Sequence, residues 1–112
     1  QALALARKSE LALQSGRTDE ADRSSAQALE IMRRHGTVQG PEERILLARS
    51  AVLTSLGQRK DGAALAEEAA RVVLSRADRI TDPDRRRRFL EFPAHAKVLV
   101  AAGHSGDGGE RP

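Results

Sequence analysis

The 112-residue chain contains no cysteine, tryptophan or tyrosine, and only two phenylalanines, Phe89 and Phe92. Without cysteine there is no disulfide framework and no thiolate metal site. Without an aromatic array there is no platform on which bases could stack. No apolar run approaches the ~20 residues a helix needs to cross a bilayer, and no charged segment leads into a greasy one as in a secretory leader. Charge of one sign is also lacking: 19 Lys and Arg oppose 16 Asp and Glu, a net charge of +3. Residues 1–40, 41–80 and 81–112 each carry one excess positive charge, whereas a nucleic-acid binder concentrates its cations to neutralise several phosphates together. These absences leave a single cytoplasmic domain. The high pI of 10.2 comes from arginine, which supplies 16 of the 19 basic residues. Hydrophobic residues make up 39% of the chain, and most are Ala and Leu, so the core is thin and built from small side chains.

What is present is helical punctuation. Residues 1–15 place Leu5, Ser9, Ala12 and Leu13 near a 3.6-residue period and end at Gly16. Thr18 reads as an N-cap with Asp19 and Glu20 behind it, opening a helix to about His35 that buries Ala21, Ser25, Ala28, Leu29 and Met32 and stops at Gly36. Gly40-Pro41-Glu42-Glu43 starts a third helix, whose stripe is Ile45, Ala48, Val52 and Leu56, widened by Leu46 and Leu53, and Gly57 closes it. The fourth runs from Lys60 or Asp61 to about Ile80, with Ala63, Ala66, Ala70, Val73, Leu74, Ala77 and Ile80 on its face. Asp82-Pro83-Asp84 opens a short helix over 83–91, and Pro93 restarts the chain into a last one through Leu99. Residues 103–112 are glycine-rich and polar, with nothing to bury, and read as a flexible tail. No alternating β-branched run appears, so the chain is all α.

The helices repeat. Ser9, the residues around Ala12 and Gly16 correspond to Ser50, the residues around Leu53 and Gly57 at an offset of 41; beyond the turn Ala21 and Ala28 find alanines at Ala63 and Ala70, an offset of 42. A small residue midway along one helix, a glycine turn and a small residue early in the next let two backbones cross closely. This spacing resembles the tetratricopeptide repeat, with Leu5, Leu46, Ser25 and Glu67 standing where that family carries large aromatics. The segment from Ala77 through Ile80, Asp82-Pro83, Arg86 and Phe89-Leu90 to Pro93 is similar to the closing segment of the helical-repeat tails of bacterial serine/threonine kinases and signal-transducing ATPases. The resemblance implies an α-α superhelix of two hairpins, about 1–35 and 41–80, closed by a capping helix pair over 83–102. It also implies a regulatory scaffold that binds proteins as part of a longer signalling chain, in keeping with Gln1 rather than Met at the start.

Catalytic chemistry finds no support in the spacing. None of His35, His95 and His104 has a second His at i±3 or i±4, so neither metal nor cofactor is expected. Ser9 and Ser50 sit at small packing positions, and Gly106-Asp107-Gly108-Gly109 lacks the Lys and helix of a phosphate loop. The expected role is binding of a protein or peptide, possibly acidic, or of another domain of the parent chain. Its contacts would be Arg7, Lys8, Arg44 and Arg49 on the first helix of each hairpin. The alternative is a nucleic acid or anionic surface held by Arg85, Arg86, Arg87 and Arg88. Leu3 and Leu11 broaden the apolar face of helix 1–15 beyond what one partner covers, which points to a homodimer through them. Phe89, Leu90 and Phe92 are the expected lid on the fourth helix.

Overall fold

The computed structural model describes residues 2–35 and 42–103. Among them the chain is all helical, with six helices in the order α1 (Ala2–Gln14), α2 (Thr18–Arg34), α3 (Glu42–Ser55), α4 (Arg59–Asp78), α5 (Pro83–Glu91) and α6 (Pro93–Ala101). The expected stop at Gly36, the start at Gly40-Pro41, His104 and the tail beyond Gly103 lie outside the described residues.

Two hairpins, α1–α2 and α3–α4, share one turn. Gly16 (φ 78°) and Gly57 (φ 87°) take the left-handed conformation, which costs other residues roughly 1–2 kcal/mol. Arg17 N–H then donates to the Ala12 carbonyl at 2.8 Å, and Gln58 N–H to the Leu53 carbonyl at 2.8 Å, satisfying carbonyls that the helix end leaves open. Arg17 and Gln58 are also the N-caps of α2 and α4, their carbonyls accepting from Ala21 and Gly62 N–H at 3.0 Å, with nearly equal backbone angles (φ −89°, ψ 73° and φ −92°, ψ 68°). Thr18 is therefore the first helical residue and not the cap. Asp19 and Glu20 do sit in the first turn of α2. In α5 Asp82 is the cap: its side chain accepts from Asp84 N–H, with Pro83 in the first turn.

The structure holds the offset at 41 throughout. The buried equivalent of Ala21 is Gly62, not Ala63, and that of Ala28 is Ala69; Ala63 itself is exposed. Matching alanine to alanine misses this, because glycine takes the position of closest approach. A Cβ on Gly62 would lie 2.5 Å from Thr54 Oγ1 and 2.9 Å from the Ser50 carbonyl oxygen. The absent Cβ lets α4 approach until the Ser50 hydroxyl donates to the Gly62 carbonyl at 2.7 Å. Ser9, opposite Ala21, instead donates back to Ala6 within its own helix.

The main core joins Ala6, Ala28, Met32, Ile45, Leu46, Ala48, Ala69, Ala70, Val73 and Val98, and a second cluster joins Ala12, Ala21 and Val52. Leu56 falls off the expected stripe, 38% exposed, because the α3–α4 turn carries it outward. Large side chains each contribute roughly 1.5–3 kcal/mol on full burial, but few are available here, so the alanines contribute by letting backbones close. α3 packs on both α1 and α2, α6 lies on α4 and α3, and α5 lies on α4. Arginine–carboxylate pairs tie the helices laterally: Arg33–Glu68 (α2–α4), Arg44–Glu10 (α3–α1), Arg49–Asp22 (α3–α2) and Arg76–Glu43 (α4–α3).

Gly62→Ala should destabilise the fold by about 1–2 kcal/mol, because overpacking of ~1–3 kcal/mol outweighs the gain of ~1 kcal/mol in helix propensity. Urea unfolding checks this; a stabilised variant would contradict the close crossing. The Glu68 carboxyl is held below its ordinary value of 4.5, chiefly by hydrogen bonds from Arg33, against the opposing effect of burial. A carboxylate with a lowered folded pKa stabilises above its unfolded pKa and loses that contribution as pH falls through the folded one. Glu68→Gln should therefore cost ~0.2–1 kcal/mol at neutral pH and make stability fall less between pH 4.5 and more acidic conditions, as melting curves against pH would report.

Candidate functional site

The first helix of each hairpin, α1 and α3, forms two walls of an open groove of about 630 Å³, and α6 forms the third. α1 contributes Leu3 and Glu10, α3 contributes Glu43, Arg44 and Leu47, and the α5–α6 junction and α6 contribute Phe92, Pro93, Ala94, His95, Lys97 and Val98. The junction places them: Phe92 is both the C-cap of α5 and the N-cap of α6, with Pro93 fixing the first turn. The His95 ring then stacks on Phe89 at 4.1 Å between centroids, and its Nδ1 lies 2.8 Å from the Phe89 carbonyl oxygen. Phe89 packs onto the core, while Phe92, whose ring lies 5.4 Å from that of His95, is 58% exposed in the groove.

The carboxylates of the groove are already engaged. Arg44 donates to both oxygens of Glu10, at 3.1 and 3.5 Å, and the hydrogen bond to Glu10 is the main cause that raises the Arg44 pKa further. Glu43, with its side chain only 12% exposed, accepts from Arg76 at 2.7 Å. Lys97 is exposed and has no ion pair among the described residues. The groove thus offers an apolar floor and wall with Lys97 beside them.

The cations named from sequence separate in space. Arg44 lines the groove but is committed to Glu10. Arg49 does not line it: its side chain is 17% exposed and donates to Asp22 Oδ1 at 2.6 Å and to Ser25 Oγ at 3.0 Å. Arg7 and Lys8 lie with Leu3, Ala4 and Leu11 on the outer flank of α1, and Lys8 stands 4.0 Å from Glu20. Leu11 is 60% exposed and Leu3 half-buried. In the arginine run, Arg86 donates twice to the Ile80 carbonyl. Arg85 pairs with Asp82 and Arg87 with Asp84. Arg88 lines a second open depression with Ile80, Arg85, Phe89, Phe92 and His95. No group of three or more His, Asp or Glu among the described residues is arranged to hold a metal ion.

Sequence reasoning missed Phe92, Lys97 and Leu47 as groove residues. The available signal was the pairing of Phe92 with Pro93, since a helix-starting proline aims the preceding cap residue off the helix axis. The lid is also narrower than expected: Phe89 and Leu90 pack on the core, while Phe92 does not.

Phe89→Ala should therefore cost about 1–3 kcal/mol, less than the ~3–5 kcal/mol of a fully buried phenylalanine. Phe92→Ala should leave the melting temperature within a degree or so. Equal losses at the two positions would contradict this division. None of the protein families, curated proteins or solved structures compared with the chain matches it.

Proposed function

We propose that the chain is a protein-docking module, a tetratricopeptide-like repeat unit that holds a peptide segment of a partner, or of its own parent chain, in the groove between α1, α3 and α6. The observation that carries this reading is Phe92, 58% exposed beside Leu3, Leu47 and Val98 with Lys97 at the rim. An exposed aromatic on a concave apolar surface is the usual anchor of a recognition site. Lys97, with no ion pair among the described residues, favours a ligand with a carboxylate next to its apolar anchors. The two hairpins, equal in step and in turn geometry, support the repeat reading, and the Ile80–Pro93 segment supports a place in a larger bacterial signalling protein. Ser9 and Ser50 are hydrogen-bonded inside helix packing, which favours a binding role over a catalytic one. Binding of anionic surfaces through Arg85–Arg88 has less support, because three of the four guanidinium groups already hold acceptors of this chain.

Selection of displayed random peptides on the intact chain tests the proposal. Enriched peptides should carry an aromatic or large aliphatic residue near an acidic one. Phe92→Ala and Lys97→Glu should each weaken binding by ~10-fold, the cost of truncating a well-placed anchor, without lowering the melting temperature, whereas Arg88→Glu should not matter. Peptides indifferent to Phe92 and Lys97, or no enrichment at all, would overturn it.

A further inference from the structure

The hydrogen-bonding geometry places the proton of the neutral His95 ring. Nδ1 lies 2.8 Å from the Phe89 carbonyl oxygen, and a carbonyl only accepts, so Nδ1 carries the hydrogen and donates. That carbonyl belongs to the last turn of α5, where donors are favoured, and it also receives Phe92 N–H at 3.3 Å. The ring stacks on Phe89, with centroids 4.1 Å apart, and tilts against Phe92 at 5.4 Å. Bond and stack together hold it in one orientation. In the neutral ring Nε2 is then a bare acceptor. It makes no hydrogen bond among the described residues, and none of their buried side-chain nitrogens lacks a partner, so Nε2 is open to solvent. The surfaces that this half-buried ring lines are the peptide groove and the depression beside it.

The charges around the ring give a protonated His95 no counter-ion among the described residues. Across the groove stand Glu10 of α1 and Glu43 and Arg44 of α3, with Lys97 on α6 itself. In the depression α5 contributes Arg85 and Arg88, and α4 contributes Ile80; α4 also brings Arg76 through its ion pair with Glu43. Both groove carboxylates are taken, Glu10 by Arg44 and Glu43 by Arg76. Asp82 pairs with Arg85, and Glu91, across the helix break, makes no ion pair with His95. The remaining charged neighbours are cations.

We propose that His95 is the residue through which the groove couples binding of an acidic ligand to uptake of a proton. The inference rests on the docking of a peptide in this groove. A ligand carboxylate beside Nε2 accepts a hydrogen bond from the protonated ring, whereas against the neutral ring it faces a lone pair. The carboxylate supplies the counter-ion that the chain itself lacks, and so favours the protonated form. Affinity is therefore full below the range in which histidine titrates and falls as pH rises through it. Lys97 attracts the acid at every pH; His95 makes the affinity depend on pH.

The probes are a peptide enriched on the intact chain that depends on Phe92 and Lys97, and its analogue with the acidic residue replaced by its amide. The acidic peptide should bind ~10-fold more tightly at about pH 5.5 than at about pH 7.5, and the amide analogue should change by less than about 2-fold. Calorimetry in buffers of different ionisation heat should show net proton uptake for the acidic peptide alone. His95→Asn, whose amide can still donate to the Phe89 carbonyl, should flatten the pH dependence, while His35→Asn and His104→Asn should leave it. Nitrogen NMR of the free chain should show neutral His95 protonated at Nδ1. If His95→Asn does not fold, the two peptides and the proton uptake on the unaltered chain decide. An acidic peptide that needs Phe92 and Lys97 yet binds equally at both pH values, or takes up no proton, overturns the role of His95 and leaves the docking reading standing. So does a free ring protonated at Nε2. Peptides indifferent to Phe92 and Lys97, or none enriched, overturn the docking reading and the role of His95 with it.

Discussion

The approach of the α4 backbone to α3 at Gly62 is the constraint on which the rest depends. With a core made chiefly of alanine, little free energy comes from large buried side chains, and the helices must gain contact by closing the distance between their axes. At Gly62 nothing but hydrogen separates the α4 main chain from Ser50 and Thr54, and the Ser50 hydroxyl spans the gap to the Gly62 carbonyl. This crossing fixes α3 against α4. The shared left-handed glycine turn then sets both hairpins to the same geometry, so that α1 and α3 lie side by side. The groove follows from that alignment, once α6 folds back along α4 and α3 to close it.

Arginine is the second organiser. The chain spends its guanidinium groups between helices, with Arg33, Arg44, Arg49 and Arg76 each reaching a carboxylate on a neighbouring helix. Exposed pairs of this kind contribute little singly, but they fix lateral register where alanine packing alone permits sliding. They also explain why an arginine-rich chain shows no basic stripe. Arg44 and Arg49, which look available in the sequence, are neutralised by partners 34 and 27 residues away along it, and Lys97 at the groove has no ion pair among the described residues. Lysine suits that place, as a compact and flexible ammonium adapts to a single carboxylate, whereas Arg33 and Arg44 hold Glu68 and Glu10 with the two-pronged geometry of arginine.

The C-terminal pair of helices shows how local stereochemistry sets a surface. Pro83 and Pro93 start α5 and α6, and Asp82 caps the first of them. His95 stacks on Phe89, which packs on the core, and lies tilted against Phe92, which stays exposed. Their proximity in sequence suggested a common fate. The helix break between them gave each a different direction.

The sequence by itself determined the six helices, their approximate bounds, the glycine turns and the all-α class, because these rest on interactions within a few residues: helical periodicity, proline and acidic starts, and left-handed glycine stops. It also placed Ala21, Ser25, Ala28, Met32, Ile45 and Val73 on buried faces, all of which the packing covers. Only the tertiary structure decided that Gly62 and not Ala63 faces α3, since two adjacent small residues look alike until the closest approach is located. It alone decided that Arg44 and Arg49 hold Glu10 and Asp22, 34 and 27 residues away. It alone brought Leu3, Leu47, Phe92 and Lys97 around one groove. Such choices depend on which helix lies beside which, and that follows from the summed packing of the whole chain and not from any single stretch of it.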